Sequence, residues 1–287
     1  PLLGLRGGIA GDFTITKRGE DHFMMFGSGM AERYHKRFFD HVLRPTGVSF
    51  ESRTDALAGF NVAGPKSREL LERLTNADLG NDAFPFFQSR DITIAGIEAL
   101  ALRVSFTGDL GWEIYAPADH QLKLCDALLE AGAELGVRPV GSRSLLSLRV
   151  EKGYGSWGRE YSPEYWPQEV GLDRLVKVDK PAFIGREAYL ELKDKPAREK
   201  LVMLEIDVGN ADAVGGEPIF ATSGAAAGRI TSGAYGHHAG KSLGLAMIKT
   251  EHLVDNDSFD VAILGLPHRA YVLKEPPFDP KGVRLRG

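Results

Sequence analysis

The sequence has very little cysteine, with one Cys among 287 residues. A single thiol cannot build a disulfide framework or a cysteine metal cluster, and a reducing compartment is therefore the default expectation. The chain also lacks an excess of basic residues. Its 35 Lys and Arg are outnumbered by 39 Asp and Glu, which gives a net charge of -4. Nucleic-acid-binding proteins usually carry a basic balance, so nucleic acid is not expected as a partner.

Long hydrophobic runs are missing as well. The longest apolar stretches, such as residues 92–104, are broken by Gly, Glu and Arg, and none reaches the roughly 18 apolar residues of a membrane-spanning helix. The first residues contain no basic segment followed by an apolar core, so no secretory signal is predicted. We expect no membrane association and a cytoplasmic location, or the mitochondrial matrix in a eukaryote.

Several motifs of common enzyme classes are absent. No G-x-G-x-x-G follows a strand pattern, and neither a P-loop nor a G-x-S-x-G nucleophile elbow occurs, which disfavours nucleotide binding and serine hydrolysis on this chain. His, Cys and carboxylate residues do not recur at metal-ligand spacing, so no metal site is expected. Glycine is abundant, with 34 residues, which predicts many tight turns.

The first two thirds of the chain mix strand-like and helix-like segments. Alternating apolar residues predict strands over residues 48–53 and 57–62, and apolar residues at helical spacing predict a helix over residues 31–43. This mixture predicts an α+β domain over residues 1–195, built on a mostly antiparallel sheet.

A change in composition ends this region. Residues 193–200 are charged and contain a Pro, and beyond them short strand-like segments recur at regular spacing between Gly and Pro turns. Helical periodicity is weak there, which is typical of an all-β sandwich or barrel. We therefore predict a small all-β barrel or jelly-roll domain over residues 196–287.

Two regions of the sequence could carry chemistry. Asp12 follows Gly11 at the start of an apolar strand, where partial desolvation would raise the pKa of its carboxyl toward values useful in acid–base catalysis; an ordinary turn Asp is the alternative. Residues 149–172 combine aromatic rings with four Glu residues, which suits a flat heteroaromatic ligand with N–H donors. Core packing of the rings with solvated carboxylates is equally compatible with the spacing.

A family resemblance emerges from segments taken in order along the chain. They are GGIAGDFTI, FNVAGPKSRELL, RVSFTGDLGWEIY, RVEKGYGSWGREYSPEYWPQEVGL followed by FIGREA, and GRITSGAYGHHAGKSLGLAMI. Together they resemble the motifs of the glycine-cleavage T-protein (aminomethyltransferase) superfamily across nearly the whole chain. The segments EKGYGSWG and AFPFFQ resemble most the branch formed by the folate-binding C-terminal region of dimethylglycine and sarcosine dehydrogenases and oxidases.

The resemblance implies roles for individual residues. Asp12 matches the catalytic Asp beside the folate amine, although Gly11 replaces the first Asp of the family's paired-Asp motif. Trp157 matches an aromatic position that lines the pterin pocket, where the classical T-protein usually has Tyr. Glu169 matches the P-x-E carboxylate that holds the pterin N–H groups, and Glu164, in a divergent loop just before it, is a second candidate for that role. Three more residues lie in pocket-forming motifs and are counted as folate-binding: Thr14, Phe106 and Tyr154.

The function implied by the resemblance is tetrahydrofolate-dependent one-carbon transfer. The iminium from an N-methylated amino acid of the dimethylglycine or sarcosine type would be captured to give 5,10-methylenetetrahydrofolate. FAD is expected only on a separate domain or partner, because this chain has no dinucleotide-binding motif. The missing leading segment of the folate domain, relative to the family, predicts that the chain is a piece of a longer protein.

Two alternatives remain open. One is a free-standing aminomethyltransferase or demethyltransferase of the T-protein type, which takes its carbon from a carrier protein or another methylated substrate. The other is a non-catalytic folate-binding module, as in iron–sulfur-assembly relatives. Those relatives carry a K-G-C-Y-x-G-Q-E motif, whereas the single cysteine of this chain, Cys125, lies in a different context.

Overall fold

The computed structural model of the protein describes residues 1–254 and 256–287. The strands, in chain order, are β1 (Leu2–Leu3), β2 (Ile9–Gly11), β3 (Thr14–Lys17), β4 (Phe23–Phe26), β5 (Leu57–Ala63), β6 (Ser89–Ile94), β7 (Ile97–Leu102), β8 (Gly111–Pro117), β9 (Glu199–Ile206), β10 (Pro218–Phe220), β11 (Ala226–Gly236), β12 (Lys241–Lys249), β13 (Ser258–Ile263) and β14 (Leu266–Leu273). The α-helices are α1 (Glu32–Leu43), α2 (Ser67–Glu72), α3 (Gln121–Gly132), α4 (Ser142–Glu151), α5 (Arg186–Leu192), α6 (Thr250–Leu253) and α7 (Val283–Arg286). Within these described ranges, no helix combines the length and the apolar character needed to cross a membrane.

The chain divides into two compact units. The first, which we call the barrel unit, comprises Pro1–Glu32 and Leu146–Phe278, and the second, the sheet unit, comprises Arg33–Leu145 and Asp279–Gly287. The domain boundary predicted between residues 195 and 196 falls inside the barrel unit and stays a prediction.

The sheet unit is built on a four-stranded antiparallel sheet in the order β5-β8-β7-β6. On β8 the alternate residues Trp112, Ile114 and Ala116 are fully buried, as expected for a sheet with one face turned to the core. Leu71 of α2 and Leu124 of α3 belong to the same buried cluster, so these helices cover that face. The antiparallel sheet with helices was predicted from the sequence and is confirmed.

The strand predicted over residues 48–53 is wrong. These residues form no regular structure and lead into a short 3-10 helix at Thr54–Ala56. Phe50 packs its ring against Phe39 of α1 at a centroid distance of 5.0 Å, but Val48 is 58% exposed. An alternating pattern forms a strand only where a neighbouring strand supplies the backbone hydrogen bonds, and here the local pattern had no such partner.

The barrel unit contains a closed barrel in the strand order β10-β11-β12-β9-β14-β13. Leu204 and Ile206 on β9 and Ala246 and Ile248 on β12 alternate inward and are buried in one apolar cluster. The all-β second region was predicted and is confirmed; of the two architectures considered, it is the barrel. Full closure leaves no exposed barrel edge for unwanted strand pairing.

Two small strand pairs precede the barrel in the same unit, β1 with β2 and β3 with β4. Strand β2 lies against the segment around Tyr165, because the Ile9 N–H donates to the Tyr165 carbonyl at 3.1 Å. Gly8 makes the approach possible, since a Cβ there would lie 2.4 Å from the Pro163 carbonyl oxygen. This contact fixes the end of β2, where Asp12 follows.

Candidate functional site

Asp12 is the first polar side chain after β2 and is half-buried. Burial raises the pKa of the Asp12 carboxyl above its ordinary value, although a hydrogen bond from the Phe13 backbone N–H acts in the opposite direction. A carboxyl whose pKa is raised toward neutral pH can both accept and return a proton. The sequence-based expectation for Asp12 therefore agrees with its surroundings, and its catalytic role stays a proposal.

Two aromatic residues border the same region. Trp157 and Tyr161 are joined by an isolated β-bridge, and both pack against a buried cluster that includes Ile9 and Tyr165. Burial, and then the charge of Asp12, raise the pKa of Tyr161 to about 12. The Tyr161 phenol therefore stays protonated at neutral pH. Trp157 was predicted as a site residue, whereas Tyr161 was not singled out.

A buried ion pair supports this segment from within. Arg149 and Glu160 are 1% and 0% exposed, and Arg149 Nη1 lies 3.0 Å from Glu160 Oε2. The Ser232 hydroxyl donates to Glu160 Oε1 at 2.6 Å, and the Ser156 N–H donates to Oε2 at 2.9 Å. Arg149 also donates to the Tyr154 carbonyl at 2.9 Å, so the network fixes the backbone on which Tyr154 and Trp157 stand.

The carboxylate oxygens of Glu169 already accept hydrogen bonds from neighbouring residues. Its Oε1 accepts the Nε–H and the backbone N–H of Arg198, at 2.8 and 3.1 Å, and its Oε2 accepts Arg198 Nη2 at 2.7 Å and the Trp166 N–H at 2.8 Å. Burial opposes ionisation, but the hydrogen bonds from Arg198 and Trp166 prevail and lower the pKa of Glu169. Four donors on one carboxylate leave little acceptor capacity for a ligand.

The carboxylate of Glu164, in contrast, is mostly exposed to solvent. Its side chain is 74% exposed, and its Oε2 meets Arg229 Nη2 at 3.4 Å, at the long end of hydrogen-bond range. Its backbone is fixed, because Arg198 Nη2 donates to the Glu164 carbonyl at 2.8 Å. Arg229 also donates to the Tyr165 hydroxyl. The carboxylate is thus held on an anchored loop, mostly exposed and with Arg229 as its one contact given above.

The remaining predicted site residues are distributed over both units. Thr14 begins β3 and pairs with Phe26, and Tyr154 has the Lys152 ammonium 5.9 Å from its ring centroid. With Asp12, Trp157, Glu164 and Glu169, these residues belong to the barrel unit. Phe106 belongs to the sheet unit and lies in the connection between β7 and β8.

The comparisons with known proteins agree with this architecture. Residues 1–180 match the family model of the GCVT N-terminal domain, and residues 199–279 match that of the glycine cleavage T-protein C-terminal barrel domain. The chain belongs to the glycine cleavage T-protein family. The resemblance found in the sequence is confirmed.

Relatives of two kinds are found. The 4-methylaminobutanoate oxidase (formaldehyde-forming) of Paenarthrobacter nicotinovorans is 36% identical over 100% of this chain, and the mitochondrial dimethylglycine dehydrogenase of Homo sapiens is 32% identical over 96%. This chain spans only 35% and 32% of their lengths. An aminomethyltransferase of Caldanaerobacter subterraneus subsp. tengcongensis is 31% identical over 93% of this chain and 71% of its own length.

The fold also has a solved counterpart. The crystal structure of the glycine cleavage system aminomethyltransferase T from Bartonella henselae matches 97% of this chain and 75% of that chain, with a TM-score of 0.83 and 22% identity. The predicted fold class, an antiparallel-sheet region followed by a small barrel, is thereby confirmed as that of the T-protein family.

Proposed function

We propose that this chain is the tetrahydrofolate-binding region of an enzyme that captures a one-carbon unit from an N-methylated amino acid, of the dimethylglycine or sarcosine type, as 5,10-methylenetetrahydrofolate. The observation that carries the proposal is the half-buried Asp12, whose carboxyl has a raised pKa and which follows a strand packed with Trp157 and Tyr161. Family membership supports the proposal, as do the dimethylglycine dehydrogenase and formaldehyde-forming oxidase relatives.

The residues present fit a pterin ring. Such a ring is flat and carries adjacent N–H donors, so it needs an aromatic surface and a carboxylate acceptor. Trp157 offers the surface. We assign the role of pterin N–H acceptor to Glu164, because its side chain is 74% exposed. The carboxylate oxygens of Glu169, in contrast, already accept hydrogen bonds from Arg198 and Trp166. Glu169 as acceptor is the alternative, and Thr14, Tyr154 and Phe106 stay proposed as further folate-binding residues.

Asp12 performs the proton chemistry in this proposal. Tetrahydrofolate, when bound, would supply the secondary amine that takes up the carbon. The Asp12 carboxylate would accept the proton that this amine loses, as a general base, and its negative charge would stabilise a cationic iminium beside it. Keeping water out of the site would prevent hydrolysis of the iminium to formaldehyde.

A flavin partner follows from the same proposal. Oxidation of an N-methyl amine to an iminium requires a two-electron acceptor, which FAD on another domain or subunit would supply. The length of the oxidase and dehydrogenase relatives supports this, since the chain spans about a third of each.

The second candidate function is aminomethyl transfer of the T-protein type. It is favoured by the aminomethyltransferase relatives, of which this chain covers 71% or more of the length. The two functions differ in the carbon donor. Turnover with a lipoylated carrier protein would favour the second function, and turnover with an oxidised N-methyl amino acid would favour the first.

Calorimetric titration with 5-formyltetrahydrofolate tests folate binding directly. We expect binding by the wild-type chain and a loss of roughly 10- to 100-fold in affinity for Glu164→Gln, because a charge-assisted hydrogen-bond acceptor is removed. Glu187→Gln, at an exposed position of α5, is the matched control and should bind as the wild type does. Absence of binding by the wild-type chain would contradict the proposal, and loss for Glu169→Gln alone would return the acceptor role to Glu169.

A further inference from the structure

Two arginines of the sheet unit converge on one neutral oxygen. Arg68 Nη2 and Arg103 Nη2 both donate to the side-chain oxygen of Asn81, at 2.5 and 2.7 Å. Two guanidiniums that share an acceptor lie close enough to repel each other. Burial, and then the charge of Arg68, lower the pKa of Arg103. Because Arg103 is 1% exposed, water screens this repulsion only weakly.

The other contacts of the two arginines supply acceptors but no negative charge. Arg68 Nε donates to the Leu79 carbonyl at 3.1 Å, and Arg103 Nη1 donates to the Phe84 carbonyl at 2.6 Å. Arg103 Nη2 also donates to the Arg286 carbonyl. Among the residues that the structure describes, no carboxylate forms an ion pair with Arg68 or Arg103. Buried charges in proteins are normally paired, so these two arginines lack a counter-charge.

Trp112 lies against both guanidiniums. Arg103 Cζ and Arg68 Cζ are 5.6 and 5.9 Å from the Trp112 ring centroid, and the negative face of the ring offsets part of their charge. Two buried N–H donors of this stack, Arg103 Nε and Trp112 Nε1, have no acceptor in the described part of the chain. Buried donors are nearly always satisfied in proteins. Uncompensated positive charge and unused donors are both features of a site for an anion.

The two arginines can be reached from solvent beside Asn81 and Gly287. Both of these residues are exposed, and Asn81 Nδ2 donates to the Gly287 carbonyl at 2.6 Å. A Cβ at Gly287 would lie 2.9 Å from Arg68 Nη2 and 3.2 Å from Arg103 Nη2. A group beside Gly287 is therefore within reach of both guanidiniums at once.

We propose that Arg68 and Arg103 form a binding site for a small oxyanion, a carboxylate or phosphate group, held between the two guanidiniums next to Gly287. The planar fork of a guanidinium matches the oxygens of either group with parallel N–H donors, and a negative charge there relieves the repulsion between the arginines. A free oxyanion and a carboxylate that the chain itself carries at Gly287 share this chemistry. The proposal does not depend on the function proposed above.

Titration with inorganic phosphate at constant ionic strength, followed by NMR of the indole N–H groups, tests the site. The chain has three tryptophans, and the Trp112 signal is the one that persists in both Trp157→Phe and Trp166→Phe. We expect phosphate to shift this signal saturably. Arg68→Gln removes the more exposed cation and should weaken the phosphate affinity by roughly 10-fold or more, whereas Arg138→Gln, at an exposed position of the same unit, should bind as the wild type does.

A second arm identifies the source of the oxyanion. A Gly-Ser extension after Gly287 moves away any carboxylate that the chain carries there. Equal phosphate affinities of the two chains identify a free oxyanion as the ligand. Phosphate binding by the extended chain alone, with a lowered melting temperature before phosphate is added, identifies the chain's own carboxylate.

Asn81→Asp provides an independent variant. It places a carboxylate oxygen where both guanidiniums now donate to the amide oxygen, and should therefore abolish phosphate binding in whichever chain shows it. Absence of a saturable shift in both chains would overturn the proposal. Binding that neither Arg68→Gln nor Asn81→Asp weakens would overturn it as well, and if one of these variants fails to fold, the other decides.

Discussion

The guanidinium of Arg198 encloses the carboxylate of Glu169, with Nε 2.8 Å from Oε1 and Nη2 2.7 Å from Oε2. The carboxylate is fully buried while Arg198 is half-exposed, and the guanidinium also lies 4.1 Å from the ring centroid of Trp166. The pair ties the residue just before β9 to the loop that carries Glu164. The position of Glu164, the proposed pterin acceptor, thus depends on an ion pair between two other residues, Arg198 and Glu169.

Removal of the cation should destabilise the chain. Arg198→Ala leaves the buried Glu169 carboxylate with two backbone donors and no compensating charge, which we expect to cost about 3 kcal/mol of the free energy of unfolding. Arg174→Ala, an exposed arginine in the same unit, should change it by less than about 0.5 kcal/mol. Urea unfolding measures both, and equal stabilities of the two variants would show that the pair contributes nothing.

The same pair should make stability depend on pH. The pKa of Glu169 is lowered in the folded state, so its ionisation contributes stability above the ordinary Glu pKa near 4.5, and that stability is lost as the pH falls through the lower folded pKa. The difference in unfolding free energy between the wild type and Glu169→Gln should therefore be constant from pH 6 to 8 and shrink below about pH 4.5. A difference that persists undiminished as far down as pH 3 would contradict this assignment.

Much of the fold could be predicted from the sequence because local patterns and tertiary contacts agree there. The strands of the barrel recur at regular spacing between Gly and Pro turns, and the helix predicted over residues 31–43 is α1 (Glu32–Leu43) with a one-residue difference. The strand over residues 48–53 was wrong because its apolar residues had no neighbouring strand. Strand formation depends on such partners, which a local window does not contain.

The candidate site was predicted less completely, for a similar reason. Asp12 was singled out at the start of an apolar strand, but its catalytic role came from the family resemblance and stays a proposal. The hydrogen bonds that saturate the Glu169 carboxylate could not be predicted, because its main partner, Arg198, lies 29 residues further along the chain. Tyr161 was not singled out, because a tyrosine in an aromatic-rich segment is compatible with ordinary core packing; the local sign of its close approach is Gly155, six residues earlier, whose missing side chain admits the phenol.

The buried pair of Arg149 and Glu160 should behave as a unit. Glu160→Met leaves a buried guanidinium without its counter-charge and Arg149→Met leaves a buried carboxylate without its own, and we expect each to lose about 3–5 kcal/mol in the free energy of unfolding. Replacement of both residues, Arg149→Met with Glu160→Met, should cost less than either single change, because no isolated charge remains. Denaturant unfolding of the three variants gives the coupling energy, and additive losses would contradict the account.

Glu151 should be needed for the turn between β11 and β12. Its fully buried carboxylate accepts the backbone N–H groups of His238 and Ala239 at 2.7 and 2.9 Å, and lies 3.0 Å from His238 Nδ1. Glu151→Ala leaves these buried donors without their acceptor, which we expect to lower the free energy of unfolding by about 3 kcal/mol. Glu187→Ala on the surface of α5 is the control, and a loss no larger than the control's would show that the turn holds without Glu151.

In the proposed function, Asp12 moves a proton during folate-dependent carbon transfer. The most direct test compares wild type and Asp12→Asn for transfer from the adduct of formaldehyde and sarcosine to tetrahydrofolate, after subtraction of the uncatalysed rate, alongside calorimetric affinity for 5-formyltetrahydrofolate. We expect an affinity within about threefold of wild type and a catalysed rate lowered by roughly 100-fold or more, as for loss of a general base. A catalysed rate equal to that of the wild type, at unchanged affinity, would contradict this role.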